Sequence, residues 1–427
     1  MKEEIQETRL NHGPIVLTDR MPGVRSVTLG FFFRVGSRHE PRELSGISHF
    51  IEHTVFKGTH RRSALDIAIE QDRLGGNLEA FTTHEETGFA IKIIDEQLPG
   101  AFDLLADLLT EPRFDEADLK SEQRVIIEEM KMIEDSPEEH LADIFSAGYF
   151  SDHPLGMSIA GTPTTVRSFD ADTTRRYHHQ TFRSGNLVIT AAGNVDHGAV
   201  VDLAQQIGWR QPADSTESIA SSSPVPAPSA PLIIEQNENL EQAHIILATP
   251  LVSAIDERRY SAELLSNIFG GGTSSRLWQE IREEHGLAYS VGASAINYRD
   301  CGLFSTFAAT SPDQLEEVVD LIISEMGQMV RQGVTDDELQ LAKDQSSASI
   351  LLSLEDSAAR AAALGQSEIT YGRQIPVEET LARIASVTVD DVASLANEFF
   401  RSENVAFAAL GDLKAISIER ERLNISN

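Results

Sequence analysis

Phe182-Arg-Ser-Gly-Asn-Leu-Val-Ile-Thr-Ala-Ala-Gly193 returns 218 residues later as Phe400-Arg-Ser-Glu-Asn-Val-Ala-Phe-Ala-Ala-Leu-Gly411. Upstream, Ser168 and Asp172 recur as Ser386 and Asp390 at the same offset, and Gln97, Leu98, Asp103 and Leu104 recur as Gln314, Leu315, Asp320 and Leu321 at an offset of 217. Gly88 matches Gly302 at 214. Offsets that stay near-constant over such a distance indicate duplication of a whole domain, not a short solenoid repeat. Between the two copies, residues 211–231 read QPADSTESIASSSPVPAPSAP, a Ser/Pro/Ala-rich stretch without apolar periodicity and so a connector. The domains expected are therefore 1–210 and 232–427, with 211–231 as linker.

Each copy repeats one coarse plan. Residues 26–35 and 80–94 are β-rich runs with counterparts at 244–248 and 303–308, while 98–109, 115–134 and 315–331 carry helical periodicity. Strands at hairpin spacing with intervening helices predict an α+β fold: two duplicated domains with mixed or antiparallel sheets flanked by helices.

The 427 residues exceed one ordinary core, and 41% hydrophobic with 24% charged residues is a globular composition. A net charge of −32 repels nucleic acid and anionic membrane and favours neutral or cationic partners. The single cysteine, Cys301, excludes an intrachain disulfide and a cysteine-rich metal site. No signal-peptide core and no 18-residue apolar run is visible, so a cytoplasmic location is expected.

One segment of the first copy stands out for its chemistry, His49-Phe-Ile-Glu-His53. Flanking Ile47, Phe50, Ile51 and Val55 predict a helix, on which His49 and His53 are i and i+4 and leave the same face. That spacing suits two nitrogen ligands on one Zn²⁺, with Glu52 on the same side to take a proton from a water there, the inverted H-x-x-E-H order of zinc peptidases. A pair of solvated histidines is the plain alternative, and the apolar flanks argue against it. A catalytic zinc needs a third protein ligand. Helix 115–134 offers Glu122 and Glu129, seven apart on the stripe of Leu119, Ile126 and Ile133, where a bare carboxylate is expensive without a partner. At an offset of 214, His49, Glu52 and His53 fall opposite Glu263, Ser266 and Asn267, so the second copy has no metal set. His178-His179 reads as helix surface, and His60, His84 and His140 show no ligand pattern.

With Gly46-Ile-Ser-His-Phe-Ile-Glu-His-Thr-Val-Phe-Lys-Gly58 and Arg124-Val-Ile-Ile-Glu-Glu-Met130, the whole chain resembles the pitrilysin/insulinase superfamily of zinc metallopeptidases, most closely its mitochondrial-processing-peptidase-like branch. The resemblance implies a clamshell of two homologous halves around a chamber and one zinc per chain. It makes Glu129, 76 residues beyond His53, the third ligand, with Glu122 a supporting carboxylate and Glu52 the general base. It further implies that Arg282 and Tyr289 bind substrate near the scissile bond, that Gly270, Gly271 and Gly272 lie near the substrate path, and that Glu79, Ala80, Phe81 and Thr82 form a peptide-binding edge strand. Glu79 departs from the family's usual Asn, which bears on sequence preference. A peptide or unfolded polypeptide as substrate and a homodimeric assembly are likewise implied, with a non-catalytic or partner-dependent subunit of a processing complex as the alternative.

Overall fold

A computed structural model describes residues 3–11, 13–209, 225–414 and 416–425; of the expected linker 211–231, residues 211–224 lie outside them. Eleven strands are present among these residues: β1 (Ile5–Arg9), β2 (Ile15–Arg20), β3 (Ser26–Phe33), β4 (Leu78–Thr82), β5 (Thr87–Ile94), β6 (Leu187–Gly193), β7 (Leu232–Gln236), β8 (Ala243–Leu251), β9 (Ala288–Asn297), β10 (Gly302–Thr310) and β11 (Ala406–Gly411). They form two mixed sheets, ordered β1-β2-β6-β3-β5-β4 and β7-β11-β8-β10-β9. Leaving out β1, the second order reproduces the first. In each sheet one pair is parallel, β2 with β6 and β7 with β11, and the rest are antiparallel.

The repeated segment does the same work twice. Phe182 N–H closes helix Ala171–Thr181 onto His178 O at 2.8 Å, and Phe400 N–H closes helix Val389–Phe399 onto Ala396 O at 2.9 Å. A 3₁₀ turn follows each, and then the parallel strand β6 or β11, every residue of which is buried. Strands covered on both faces read as continuous apolar runs, which is why this stretch is the best preserved trace of the duplication.

Two expectations are corrected. Residues 80–94 are not one strand: β4 and β5 are separated by a hairpin at 83–86, where Thr83 N–H donates to Glu86 O at 2.8 Å. The match of Gly88 with Gly302 is also coincidental. With β6 and β11 aligned at 218, the ladders set β8 at an offset of 216 from β3 and β10 at 217 from β5, so Gly88 falls opposite Ser305.

The chain divides into two compact units that follow the halves except for a reciprocal exchange. The first comprises Met1–Lys131, Met157–Pro224 and Leu351–Pro376; the second comprises Met132–Gly156, Val225–Ile350 and Val377–Asn427. In the first unit, one face of the sheet packs Val27, Leu29, Phe31 and Ile91 against Phe50, Ile51 and Phe102. The other face takes helix Ser357–Tyr371 from the C-terminal half, with Leu364 and Ile369 on Leu17, Phe32 and Val188. In the second unit, helix Pro137–Tyr149 from the N-terminal half sets Leu141, Phe145 and Tyr149 on Ala406, Ala408 and Leu410. Among the described residues no helix is long and apolar enough to cross a membrane.

Candidate metal centre

The first unit contains the whole of the expected metal set. Helix Ile47–Thr54 starts at Gly46, whose φ of 94° and close approach to Ala160 O, 2.5 Å from where a Cβ would sit, leave room for glycine alone. Ile47, Phe50 and Ile51 are fully buried in the core. That fixes the rotation of the helix and sends His49, Glu52 and His53 to the opposite side, toward helix Glu116–Asp135. On that second helix Leu119 and Ile126 are buried in the same core, and Glu122 and Glu129 project with them as their spacing predicted.

The donor atoms converge. His49 Nε2 lies 3.6 Å from Glu129 Oε1, and His53 Nε2 lies 3.5 Å from Glu129 Oε2. One ligand atom from each of the three residues falls within 4.8 Å of the others. Zinc–nitrogen and zinc–oxygen bonds of about 2.0–2.2 Å at tetrahedral angles put ligand atoms roughly 3.3–3.6 Å apart, a spacing that the two imidazole–carboxylate distances match, so this donor set suits zinc. Burial and the neighbouring His53 pull His49 down to about 4, leaving it neutral, the form that ligates. His53 Nδ1 lies 3.4 Å from Glu122 Oε2, a partner that favours a proton on Nδ1 and leaves Nε2 as the nitrogen for a metal. Burial would lower His53, but Glu122, Glu129 and Glu52 outweigh it and raise its pKa. Glu122 is held in turn by Lys57 Nζ at 2.7 Å; burial would raise this carboxyl, and His53 and Lys57 keep it below its usual value.

Glu52 is buried, which raises its pKa against the lowering effect of a hydrogen bond from Thr82. Thr82 Oγ1 donates to Glu52 Oε2 at 2.7 Å. Thr82 ends β4, whose outer edge is unpaired in the sheet order, and Glu79, exposed, lies three residues before it. The structure thus brings together His49, His53, Glu129, Glu52, Glu122 and Thr82, with Glu79, Ala80 and Phe81 on the same edge strand.

The remaining expected residues belong to the second unit. Arg282 stacks between two rings, its guanidinium carbon 4.0 Å from the Trp278 centroid and 4.8 Å from that of Tyr289. It sits on the π-helical turn Trp278–Glu284, and Tyr289 is 78% exposed. Such stacking presents a cation and a phenol side by side as hydrogen-bond donors. Gly270 ends helix Arg259–Gly270 against β9, where a Cβ would lie 2.3 Å from Ala293 N; a Cβ on Gly272 would meet only Gln345 Nε2, at 3.9 Å. Glu280, Glu284 and His285 also cluster, but the last two are exposed.

One histidine is reassigned. His178 is core, not surface: it is 2% exposed, its Nε2 lies 3.0 Å from Leu109 O, and its ring stacks on Phe182. A backbone carbonyl at Nε2 and an aromatic face hold the ring in place, and neither is visible in local sequence. Lys57 was missed, although it stands one turn beyond His53 on the same helical face.

Two sequence profiles match the chain: "Insulinase (Peptidase family M16)" over residues 15–163 and "Peptidase M16 inactive domain" over 168–346. A protein named "Uncharacterized zinc protease" from Streptomyces coelicolor is 38% identical over 421 residues, covering 96% of this chain and 90% of its own. A Bacillus subtilis protein of the same description is 35% identical over 407 residues, covering 95% and 98%. Among solved structures, a protease from Helicobacter pylori superposes with a TM-score of 0.87 at 20% identity, covering 96% of this chain and 99% of its own. A peptidase M16 inactive domain from Pseudomonas fluorescens gives 0.87 at 19%, covering 96% and 98%. At these identities the two structures establish the fold alone.

Proposed function

This chain belongs to the insulinase family of peptidases, family M16, and on that premise we propose that it is a zinc-dependent endopeptidase acting on peptides or unfolded polypeptide segments. The observation that carries the reading is Glu52: a buried carboxylate on the helix of two neutral-capable imidazoles, with one oxygen tied to Thr82 and the other free to take a proton.

His49, His53 and Glu129 are the residues to hold the metal. Zinc there supplies a Lewis acid that lowers the pKa of a water and polarises a carbonyl. Glu52 Oε1 accepts the proton of the attacking water and returns it to the leaving amine, general base and then general acid. Burial raises its pKa, which makes it a better base than a solvated carboxylate. Glu122 keeps His53 in the Nδ1–H tautomer. Substrate adds to the open edge of β4 through its backbone, a mode that tolerates many side chains; Glu79, exposed there, and the charge of −32 favour basic ones. Arg282 and Tyr289 donate hydrogen bonds to substrate carbonyls. We propose homodimeric assembly, in line with the family resemblance.

A quenched library of basic peptides tests the reading. The purified chain is expected to cut it, and Glu52→Gln, folded and zinc-loaded, is expected to lose about 10²–10⁴-fold in rate. A wild type that binds zinc and cuts nothing would transfer the assignment to a partner-dependent subunit.

A further inference from the structure

We propose that Glu40 is a positioning residue of this site: it clamps the first turn of the metal-binding helix and registers that helix against the hairpin behind the peptide-binding edge. The catalytic consequence rests on the peptidase reading; the structural one stands without it.

The helix cannot cap itself. Its N-cap is Gly46, required there by backbone conformation and by Ala160 O, so no side chain is available at that position. Amide groups in a first helical turn have no partner within the helix. Glu40 reaches in from outside: Oε2 accepts Gly46 N–H at 2.7 Å and Oε1 accepts Ser48 N–H at 2.8 Å. Ser48 directly precedes His49. Among the described residues no cation pairs with Glu40. Its titratable neighbour is Tyr177 of helix Ala171–Thr181, whose Oη lies 3.3 Å from Ser48 Oγ. A carboxylate 4% exposed without a counter-charge is costly, and burial raises it to about 7 despite the two amides. An ordinary cap demands no such burial.

The other end of the segment explains the placement. Glu40 follows the turn Ser37–His39, which is bonded to the β4–β5 hairpin. Ser37 N–H donates to Thr83 O and Arg38 N–H to His84 O, each at 3.0 Å. Ser37 Oγ is 2.8 Å from His84 Nδ1, and Arg38 pairs with Glu85 at 2.6 Å. Thr83 in that hairpin follows Thr82, the donor to Glu52. A closed circuit results: Glu52 to Thr82, along the hairpin to Ser37, through Glu40 to Ser48, and down the helix back to Glu52. The base and the start of its helix are both referenced to one hairpin, the one that carries the strand edge. Misplacement of a reacting group by about 1 Å can cost about 10²-fold in rate, which makes such double referencing functional.

The test is Glu40→Gln in the full chain, with three readouts. The isosteric amide keeps one acceptor and turns an NH₂ on a backbone N–H. We expect kcat to fall about tenfold or more with KM within about twofold, and zinc release to a chelator to speed up about tenfold. Deuterium uptake across 46–54 is expected to accelerate while β3 and β6 stay protected. Wild-type kcat, zinc release and exchange, with only a lower melting temperature, would overturn the proposal and leave Glu40 a structural residue. Should Glu40→Gln not fold, Glu40→Asp, which keeps the charge and shortens the reach, carries the same expectations. If the wild type cleaves nothing, zinc release and exchange still decide the matter, so failure of the peptidase reading is distinguishable from failure of this one.

Discussion

Helix Ile47–Thr54 in the first unit and helix Arg259–Gly270 in the second lie against sheets whose strand orders match once β1 is left out, and only the first carries the candidate metal ligands. Their buried faces are interchangeable: Phe50 and Ile51 are matched by Leu264 and Leu265, all four fully buried. The other face differs, with Glu263, Ser266 and Asn267 in place of His49, Glu52 and His53. The partner helices diverge in step. Each is opened by one N-cap bond, Leu119 to Asp115 and Leu339 to Thr335, and counting from it Glu122 and Glu129 fall opposite Ala342 and Ser349. The second unit keeps its core with none of the five residues. The second unit builds the same strand order and a full core without these side chains, which leads us to expect that the first unit folds without the metal.

The largest expected effect breaks this contrast at its source. His53→Ala should abolish stoichiometric zinc after dialysis and all hydrolysis while the far-ultraviolet spectrum stays unchanged. Glu263→His with Asn267→His should gain no zinc, because Ala342 and Ser349 offer no carboxylate; metal analysis of both proteins checks this.

The exchanged helices sharpen the contrast further. Ser357–Tyr371 is keyed into its sheet by buried polar contacts: Arg360 to Asp19 at 2.6 Å, both nearly inaccessible, and Glu368 to Arg34 at 2.8 Å. Pro137–Tyr149 is keyed mainly by the apolar side chains Leu141, Phe145 and Tyr149, with Ser229 bonded to the carbonyls of Gly148 and Tyr149 at its end. Arg360→Met strands Asp19 as a buried charge and should cost about 3–5 kcal/mol in urea denaturation, mostly recovered by adding Asp19→Asn. Phe145→Ala should cost about 3–5 kcal/mol through a cavity, with no polar rescue.

Glu86, buried in the first unit beside Gln366 of the exchanged helix, is raised by burial from 4.5 to about 7. The folded state therefore binds a proton more tightly than the unfolded chain. That contribution is fully present below about 4.5 and is lost as pH rises through about 7. Glu86→Gln should leave stability unchanged near pH 4 and add up to about 3 kcal/mol at pH 8, flattening the decline between. Equal slopes in wild type and variant would refute it.

The smallest effect concerns the support of His53. Glu122→Gln should weaken zinc about 10–100-fold without abolishing it; competition with a chromophoric chelator resolves that range, and unchanged affinity would remove Glu122 from the site.

Much of the site was legible because helical spacing is local. His49, Glu52 and His53 share one turn, and Glu122 and Glu129 stand two turns apart on an apolar stripe, so periodicity alone pairs them. Duplication was legible through β6 and β11, where burial on both faces restricts substitution. The exchange of helices was not: an amphipathic pattern tells that a face is buried and not which sheet buries it, so Leu364 and Phe145 were assigned to their own halves. The hairpin at 83–86 hid inside Thr82-Thr-His-Glu-Glu-Thr87, which has no Gly, Pro, Asn or Asp to mark a turn. Glu40 was invisible for a related reason, since a cap supplied from outside the helix leaves no mark at the N-cap position.

The most direct test of the central claim is removal of the metal from the wild type, followed by circular dichroism and peptide cleavage on the same sample. The account predicts one zinc per chain before chelation, and afterwards no cleavage, an unchanged spectrum and recovery with one equivalent of zinc. Unfolding on chelation would make the metal structural, and cleavage that persists without it would remove His49, His53 and Glu129 from the chemistry.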